Sequence, residues 1–494
     1  MVNLNAAALP QLSDRMPVPA YDRRDLRIGI VHFGVGAFHR SHQAMYVDRL
    51  MNAGEALDWA ICGVGLLPGD KAIKDALAAQ DGLYTLVEKP PSGEWSPRVI
   101  GAITEVLFGP EDADLILERL TAPSTRIVSL TVTEGGYNTS DVTGQFIAEN
   151  PGVQADLQPG ATPGTWFGFV VEALARRKAA GTTPFTVVSC DNIQGNGDVA
   201  HRAVIAFAKL RDAELADWIE HHVPFPNSMV DRITPATTDA DRATVTEKYE
   251  ITDTAPVLSE DFVQWVMADR FADGRPPLED AGVQIVEDVE PYELMKLRLL
   301  NAGHQALGYG AYLVGHRYVH EGAQDPLFAT FLLDYMRKEA IPSLDEVPGI
   351  DLTDYTDQLI ARFSNAQVAD TLARINSFTS DRIPKFVVPV ANHGIATGGP
   401  IVHCAAIIAL WARYAEGTTE AGEAIDITDL LKEKVTAAAG HNHSEPLTFL
   451  EQRDLFGVLA DDERFAATYL RILESLHEKG VRATLESLDA LSQD

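Results

Sequence analysis

The sequence predicts an α/β N-terminal domain built on a mostly parallel sheet, followed by a mainly α-helical C-terminal domain. Three observations carry this expectation. Short apolar runs alternate with helical stretches through the first half of the chain. Strand signals fade after about Val286. Beyond that point apolar residues recur every three to four positions, the spacing of amphipathic helices. The boundary is drawn there, giving domains 1–286 and 287–494; at ~150 residues per domain the length allows two to four.

Residues 27–33 (RIGIVHF), 59–64 (WAICGV), 126–132 (RIVSLTV) and 185–189 (FTVVS) read as buried strands. Apolar runs of this length, separated by helical segments such as 167–178, imply a doubly wound sheet covered on both faces. Residues 84–108 carry shorter, more polar strands and read as an antiparallel insertion. In the second half, 292–309, 326–338, 353–363, 400–414 and 464–477 read as helices.

Composition excludes several classes of function. Hydrophobic residues make up 46% of the chain, enough for large cores and unlike a disordered protein. Asp and Glu total 71 against 40 Lys and Arg, a formal net charge of -31. Binding DNA, RNA or an anionic lipid surface needs a basic face, so neither a nucleic-acid nor a membrane partner is expected. Cys62, Cys190 and Cys404 are odd in number and far apart, which suits neither a disulfide framework nor a zinc-ligand spacing. Residues 1–25 hold Asp14, Arg15, Asp22, Arg23 and Arg24 and lack the apolar core of a signal peptide. A cytoplasmic protein is the expectation.

The first strand runs into Gly34-Val35-Gly36-Ala37-Phe38-His39. Two glycines directly after a strand let the backbone turn tightly and approach a pyrophosphate, and the helix that follows aims its amides at the charge. The third glycine of the dinucleotide fingerprint is replaced by His39. An acidic residue is expected near the end of the second strand to hold ribose hydroxyls. Asp70 is the candidate, set farther along than the usual ~20 residues. It also suits a plain cap for the helix that begins near Lys71.

The chemistry-bearing segment is Met295-Lys296-Leu297-Arg298-Leu299-Leu300-Asn301-Ala302-Gly303-His304. At about 100° per residue, Lys296 at 0°, His304 near ~80° and Asn301 near ~140° share one side of a helix with Leu297 and Leu300. An apolar stripe thus carries an amine, an amide and an imidazole. Desolvation favours the neutral amine, as a general base requires. The same pattern also fits a snorkelling lysine with two satisfied polar neighbours. Cys190-Asp191-Asn192 follows a strand where α/β folds place site residues, and Asn192 supplies a second amide. None of the fourteen histidines forms HxxxH with a helical glutamate, so no metal is expected in the chemistry.

Five motifs in one order along the chain resemble the long-chain polyol dehydrogenases, nearest their mannitol-oxidising members. They are GVGAFHRSHQ at 34–43, TVTEGGY at 131–137, CDN at 190–192, VDRITP at 230–235 and KLRLLNAGH at 296–304. The resemblance implies a Rossmann-type N-terminal domain, a helical substrate-binding domain and a metal-independent enzyme that uses NAD. It implies Lys296 as general acid/base, with Asn192 and Asn301 holding the reacting oxygen. His304 would position the substrate and support the lysine. Asp231 and Arg374 would touch the substrate, and Glu134 would lie on a proton path to solvent. The cofactor would fall to Gly34, Gly36, Phe38, His39, Arg40 and Asp70. NAD-preferring relatives often carry two acidic residues after the second strand. Here the pair is Gly69-Asp70 followed by Lys71, so some tolerance of NADP is expected.

D-Mannitol and D-fructose are the first substrate pair on this reading, acted on by a monomer. D-Arabinitol, sorbitol and a hexuronate such as fructuronate are the alternatives. A dinucleotide-sensing protein without turnover is the contrasting class. It would keep the glycine turn but have no use for Lys296, Asn192 and Asn301 together.

Overall fold

The apolar runs of the first half become strands in a computed structural model that describes residues 1–140 and 144–491. They are β1 (Ile28–Phe33), β2 (Ala60–Gly65), β3 (Tyr84–Glu88), β4 (Ser96–Ile100), β5 (Ile103–Phe108), β6 (Ile127–Leu130) and β7 (Thr186–Ser189). Five of them form one parallel sheet in the order β5-β2-β1-β6-β7. Alternate residues serve two cores, as a period of two requires. Val31, Phe33, Cys62, Val64, Val128 and Leu130 pack into one. Ile30, Ile61, Ile127 and Val188 pack into the other.

Helices cover the two faces. The first core takes in α4 (Gly109–Thr121), α5 (Trp166–Ala180) and α6 (Asn196–Arg211), and the second takes in α2 (Gln43–Asn52). Short α1 (Ala37–Ser41) precedes α2, and α3 (Asp70–Ala79) follows β2. All three cysteines are buried and free.

The antiparallel insertion is narrower than the sequence suggests. β3 and β4 pair antiparallel, with β9 (Val257–Ser259) added in parallel to β3. β5 instead pairs parallel with β2 and forms an edge of the main sheet. Its polar residues reflect that half-exposed edge, where Glu105 pairs with Arg119 of α4 at 2.7 Å. A further small sheet joins β8 (Ser228–Asp231), β10 (Gln264–Ala268) and β11 (Gln284–Val286).

The chain folds into two compact units, Met1–Glu290 and Pro291–Asp494. Among the described residues the last strand ends at Val286, and the second unit is helical. Its elements include α7 (Glu290–Met295), α8 (Ala302–Leu313), α9 (Pro326–Asp334), α10 (Leu352–Phe363), α11 (Leu372–Ile375), α12 (Val402–Tyr414), α13 (Lys432–Ala439) and α14 (Glu463–Glu486).

Two segments depart from the α-helical expectation. Lys296–Asn301, between α7 and α8, and Tyr335–Ala340, after α9, are π-helical, with i→i+5 bonding and a wider turn. The buried Tyr335 hydroxyl donates to the Arg298 carbonyl at 3.1 Å, so one π turn braces the other. Glu339, also on the second π turn, accepts from the His403 and Cys404 amides at 2.7 and 2.9 Å and caps α12.

Candidate active site

In the first unit, the candidate residues gather beyond the C-terminal ends of the parallel strands. The strand order reverses between β1 and β6, and α/β sheets bind ligands at that reversal. Gly34 leaves β1 with φ +98, and a Cβ there would stand 2.1 Å from the Thr131 carbonyl oxygen. Only glycine fits. Gly36 is different: a Cβ there would meet nothing within 4 Å. The bare backbone opens onto free space, and the first-turn amides of α1 have no partner inside the helix. This open turn fits the pyrophosphate of a dinucleotide.

His39 takes the place where the fingerprint has a glycine for close packing. Its ring lies flat on His32, with centroids 3.4 Å apart. Ser129 Oγ at 2.8 Å and Thr131 Oγ1 at 2.9 Å hold His32 in turn. Burial pushes the His32 imidazole down to about 3, and burial first, then the His32 and Arg40 charges, lowers His39 far below its ordinary range. Both rings are therefore neutral.

His39 and Arg40 are two of the residues expected at the cofactor. Both side chains are buried in the first unit. The Arg40 guanidinium donates to the Ala255 carbonyl and to Gly36 O. What these two residues can present to a cofactor is main chain. Phe38 is half-buried and stacks on His42.

Asp70 does not cap α3 with its side chain but ties down the loop before it. It opens α3, and its Oδ2 accepts from the Leu66 and Leu67 amides at 2.9 and 2.8 Å. That fixes the carboxylate after β2. Lys71, expected to ease a 2′-phosphate, spends its charge on Asp75 at 2.7 Å and Glu111 at 3.4 Å.

Two motifs that look separate in the sequence are joined by Asp191. Its buried carboxylate accepts from the Val132 amide at 3.0 Å, the Thr133 amide at 2.8 Å and the Tyr137 hydroxyl at 2.6 Å. Thr133 sits at φ 62, a costly conformation for a β-branched residue, held by these bonds. Burial pushes the Asp191 carboxyl up to about 6, against the lowering effect of its hydrogen bonds. Asn192 follows and is exposed, and Glu134 is exposed on the braced loop. Asp231 is buried at the end of β8 opposite Gln264. Its neighbour Arg232 is committed to structure, donating to Ser41 O and pairing with Glu88, each at 2.6 Å.

In the second unit, Lys296 and Asn301 bracket the first π turn, and both are buried. In an α-helix Asn301 would lie about 140° from Lys296, at the edge of the side they share. An i→i+5 repeat brings it nearly in line. The Asn301 Nδ2 and His304 Nε2 atoms are buried and have no hydrogen-bond partner among the described residues. A lost partner costs about 1–3 kcal/mol per group, and an oxygen-bearing ligand would satisfy both atoms. The His304 ring stacks on Phe363 of α10 at 4.4 Å. Burial first, then the charges of Arg374, Arg382, Arg362 and Lys296, drives its pKa well below the ordinary value. Arg374, on α11, is exposed and paired with Asp370 through Nε at 2.6 Å.

Lys296, Asn301, His304 and Arg374 are thus neighbours in one unit. Arg362 and Arg382, which join them, carry no motif that a sequence reading could use. The cluster offers a proton carrier, an amide donor and a neutral imidazole to an oxygen-bearing ligand.

A dinucleotide-type sheet with an open glycine turn, on one chain with this lysine–amide–imidazole group, defines an oxidoreductase of alcohols. The mannitol dehydrogenase Rossmann domain model matches residues 28–280, and the mannitol dehydrogenase C-terminal domain model matches residues 288–477. The chain belongs to the mannitol dehydrogenase family. A mannitol 2-dehydrogenase of Phaeosphaeria nodorum is 45% identical over 98% of this chain and 85% of its own length. Among solved structures, the Pseudomonas fluorescens mannitol 2-dehydrogenase ternary complex with NAD and D-mannitol is 46% identical with a TM-score of 0.89. That match covers 99% of this chain and 100% of the other. A D-sorbitol dehydrogenase in substrate-free form is 39% identical with a TM-score of 0.90, covering 98% and 100%.

Proposed function

We propose that this chain moves hydride between NAD and a polyol/ketose pair, D-mannitol and D-fructose first, with Lys296 carrying the hydroxyl proton. The observation that carries the proposal is the pair of orphaned atoms, Asn301 Nδ2 and His304 Nε2, on the segment that bears Lys296. In polyol oxidation the neutral Lys296 amine takes the proton of the reacting hydroxyl. Asn301 donates to the oxygen as negative charge develops on it, and Asn192 is proposed as the second amide donor. Fixed donors of this kind commonly contribute about 3–4 kcal/mol each. His304, held neutral, positions a substrate hydroxyl, with Asp231 and Arg374 as further substrate contacts. Glu134 is proposed to pass the proton between Lys296 and solvent. Bound NAD supplies the hydride acceptor. Gly34, Gly36 and the amides of α1 would hold its pyrophosphate, and Asp70 Oδ1 a ribose hydroxyl. No residue role in this scheme calls on a metal.

Initial rates with D-mannitol, D-arabinitol and sorbitol, and in reverse with D-fructose and fructuronate, test the proposal. Each is run with NAD(H) and NADP(H). The highest kcat/KM is expected for mannitol with NAD. Faster reduction of fructuronate than of fructose would shift the assignment to hexuronates, which the arginines around His304 would suit. No turnover with any pair would leave a dinucleotide-binding protein.

A further inference from the structure

Three side chains of metal-ligand type converge in the second unit, none of them in the machinery above. Glu416 lies just past the end of α12, His443 in the turn after α13, and His477 on α14. One ligand atom from each lies within 4.8 Å of the other two. His477 Nε2 is 2.8 Å from Glu416 Oε1, and the His443 ring stacks on His477 with centroids 4.0 Å apart. We infer that Glu416, His443 and His477 form a binding site for a divalent cation of the zinc type, which staples the turn after α13 to α12 and α14.

The surroundings are those of an oriented ligand set. Asn442 donates to Glu416 Oε1 at 2.7 Å and to the Ala412 carbonyl at 3.1 Å, while Arg413 stands 3.2 Å from Oε2. Outer contacts of this sort fix a ligating carboxylate in place. Glu416 and His477 are only 14% and 15% exposed, whereas His443 faces solvent. The ion would have two half-buried anchors, one exposed ligand and an open position for water.

Two imidazole nitrogens and one carboxylate oxygen select borderline cations such as Zn²⁺. Mg²⁺ and Ca²⁺ take oxygen sets instead. Tetrahedral bonds of about 2.0–2.1 Å need ligand atoms about 3.3 Å apart, a gap that rotation of the exposed His443 ring can close. On binding, His477 would present Nε2 as a neutral imidazole with its proton on Nδ1, exchanging its bond to Glu416 for a shared ion. The site would tie three segments together and take no part in hydride transfer.

The test uses full-length enzyme stripped with a chelator, then titrated with zinc chloride by calorimetry and followed by thermal melting. Wild type should take up one zinc per chain and melt at a higher temperature with zinc in roughly tenfold excess. Magnesium should do neither. His443→Ala removes an exposed ligand, so it should fold and turn over mannitol as wild type does. Its zinc affinity should fall by at least the about tenfold that loss of even an outer partner costs, and its melting shift should vanish. Absence of zinc uptake by wild type would overturn the inference. Equal affinity in His443→Ala would do the same, by placing the zinc elsewhere.

Discussion

Lys296 and His304 are the two candidates for the base, and their surroundings separate them. The His304 imidazole is held well below its ordinary pKa by burial and by Arg374, Arg382, Arg362 and Lys296. It stays neutral across the working range and contributes no inflection near neutrality. Lys296→Ala should therefore lower kcat for mannitol oxidation by about 10²–10⁴-fold and abolish the rising limb of the pH profile. His304→Ala should keep that limb and raise KM. The opposite outcome would make His304 the base. Asn301→Ala should cost about 10²–10³-fold in kcat with NADH binding unchanged in a fluorescence titration. A change in KM alone would reduce the amide to a binding contact. These residues stand out in the sequence as an amine, an amide and an imidazole on one apolar stripe, a pattern a snorkelling lysine also fits, and the five motifs in order are what turn the reading to chemistry. Arg362 and Arg382 were not, since ordinary helix arginines gain their meaning only when the chain folds around His304.

Elements explain what residue spacing alone could not. The sequence places Asn301 on the side of the helix that Lys296 occupies, about 140° round, and the π turn Lys296–Asn301 brings it closer. No propensity scale registers that widening. The partners that sustain it lie about forty residues on, in Tyr335 and its own π turn. The loop after β6 is similar. TVTEGGY and CDN both stand out in the sequence, but their joining by Asp191 depends on β6 and β7 being neighbours. Asp191 has a folded pKa of about 6 against 3.8 for the free group. Its contribution to stability is full below about pH 4 and lost as pH rises through 6, on the order of 3 kcal/mol. Denaturant midpoints of wild type should thus fall relative to those of Asp191→Asn between about pH 4 and 6. Parallel curves would mean that Asp191 titrates normally. At the start of α3, Asp70 is fixed by two amides and Lys71 is already paired. A kcat/KM preference for NAD over NADP of about tenfold or more is expected, shrinking in Asp70→Asn. Higher efficiency with NADP would remove Asp70 from the cofactor site.

At the scale of the whole molecule, the division into a parallel-sheet unit and a helical unit was legible from periodicity alone. The edge position of β5 was not, because its six residues carry too little pattern to tell a parallel edge from a hairpin arm. Among the described residues no helix is long and apolar enough to cross a membrane. The proposed proton transfer by Lys296 makes one demand of the intact protein. Mannitol turnover at moderate temperature should survive exhaustive chelation, even though the cluster at Glu416, His443 and His477 loses any ion and the melting point falls. Activity lost to the chelator and restored by zinc at unchanged fold would overturn the lysine mechanism. The π turn at Lys296 has one more consequence, for how such a chain tolerates change in length. A π turn is an α-helix carrying one surplus residue. Deleting one of Leu297, Leu299 or Leu300 would let a regular helix run on, with no gap to betray the loss. Lys296 and everything before it would be turned by about 100° relative to His304. Such a deletion would leave the composition almost untouched and take the proton carrier out of reach of its partners. At this place the count of residues, as much as their identity, is what inheritance has to preserve.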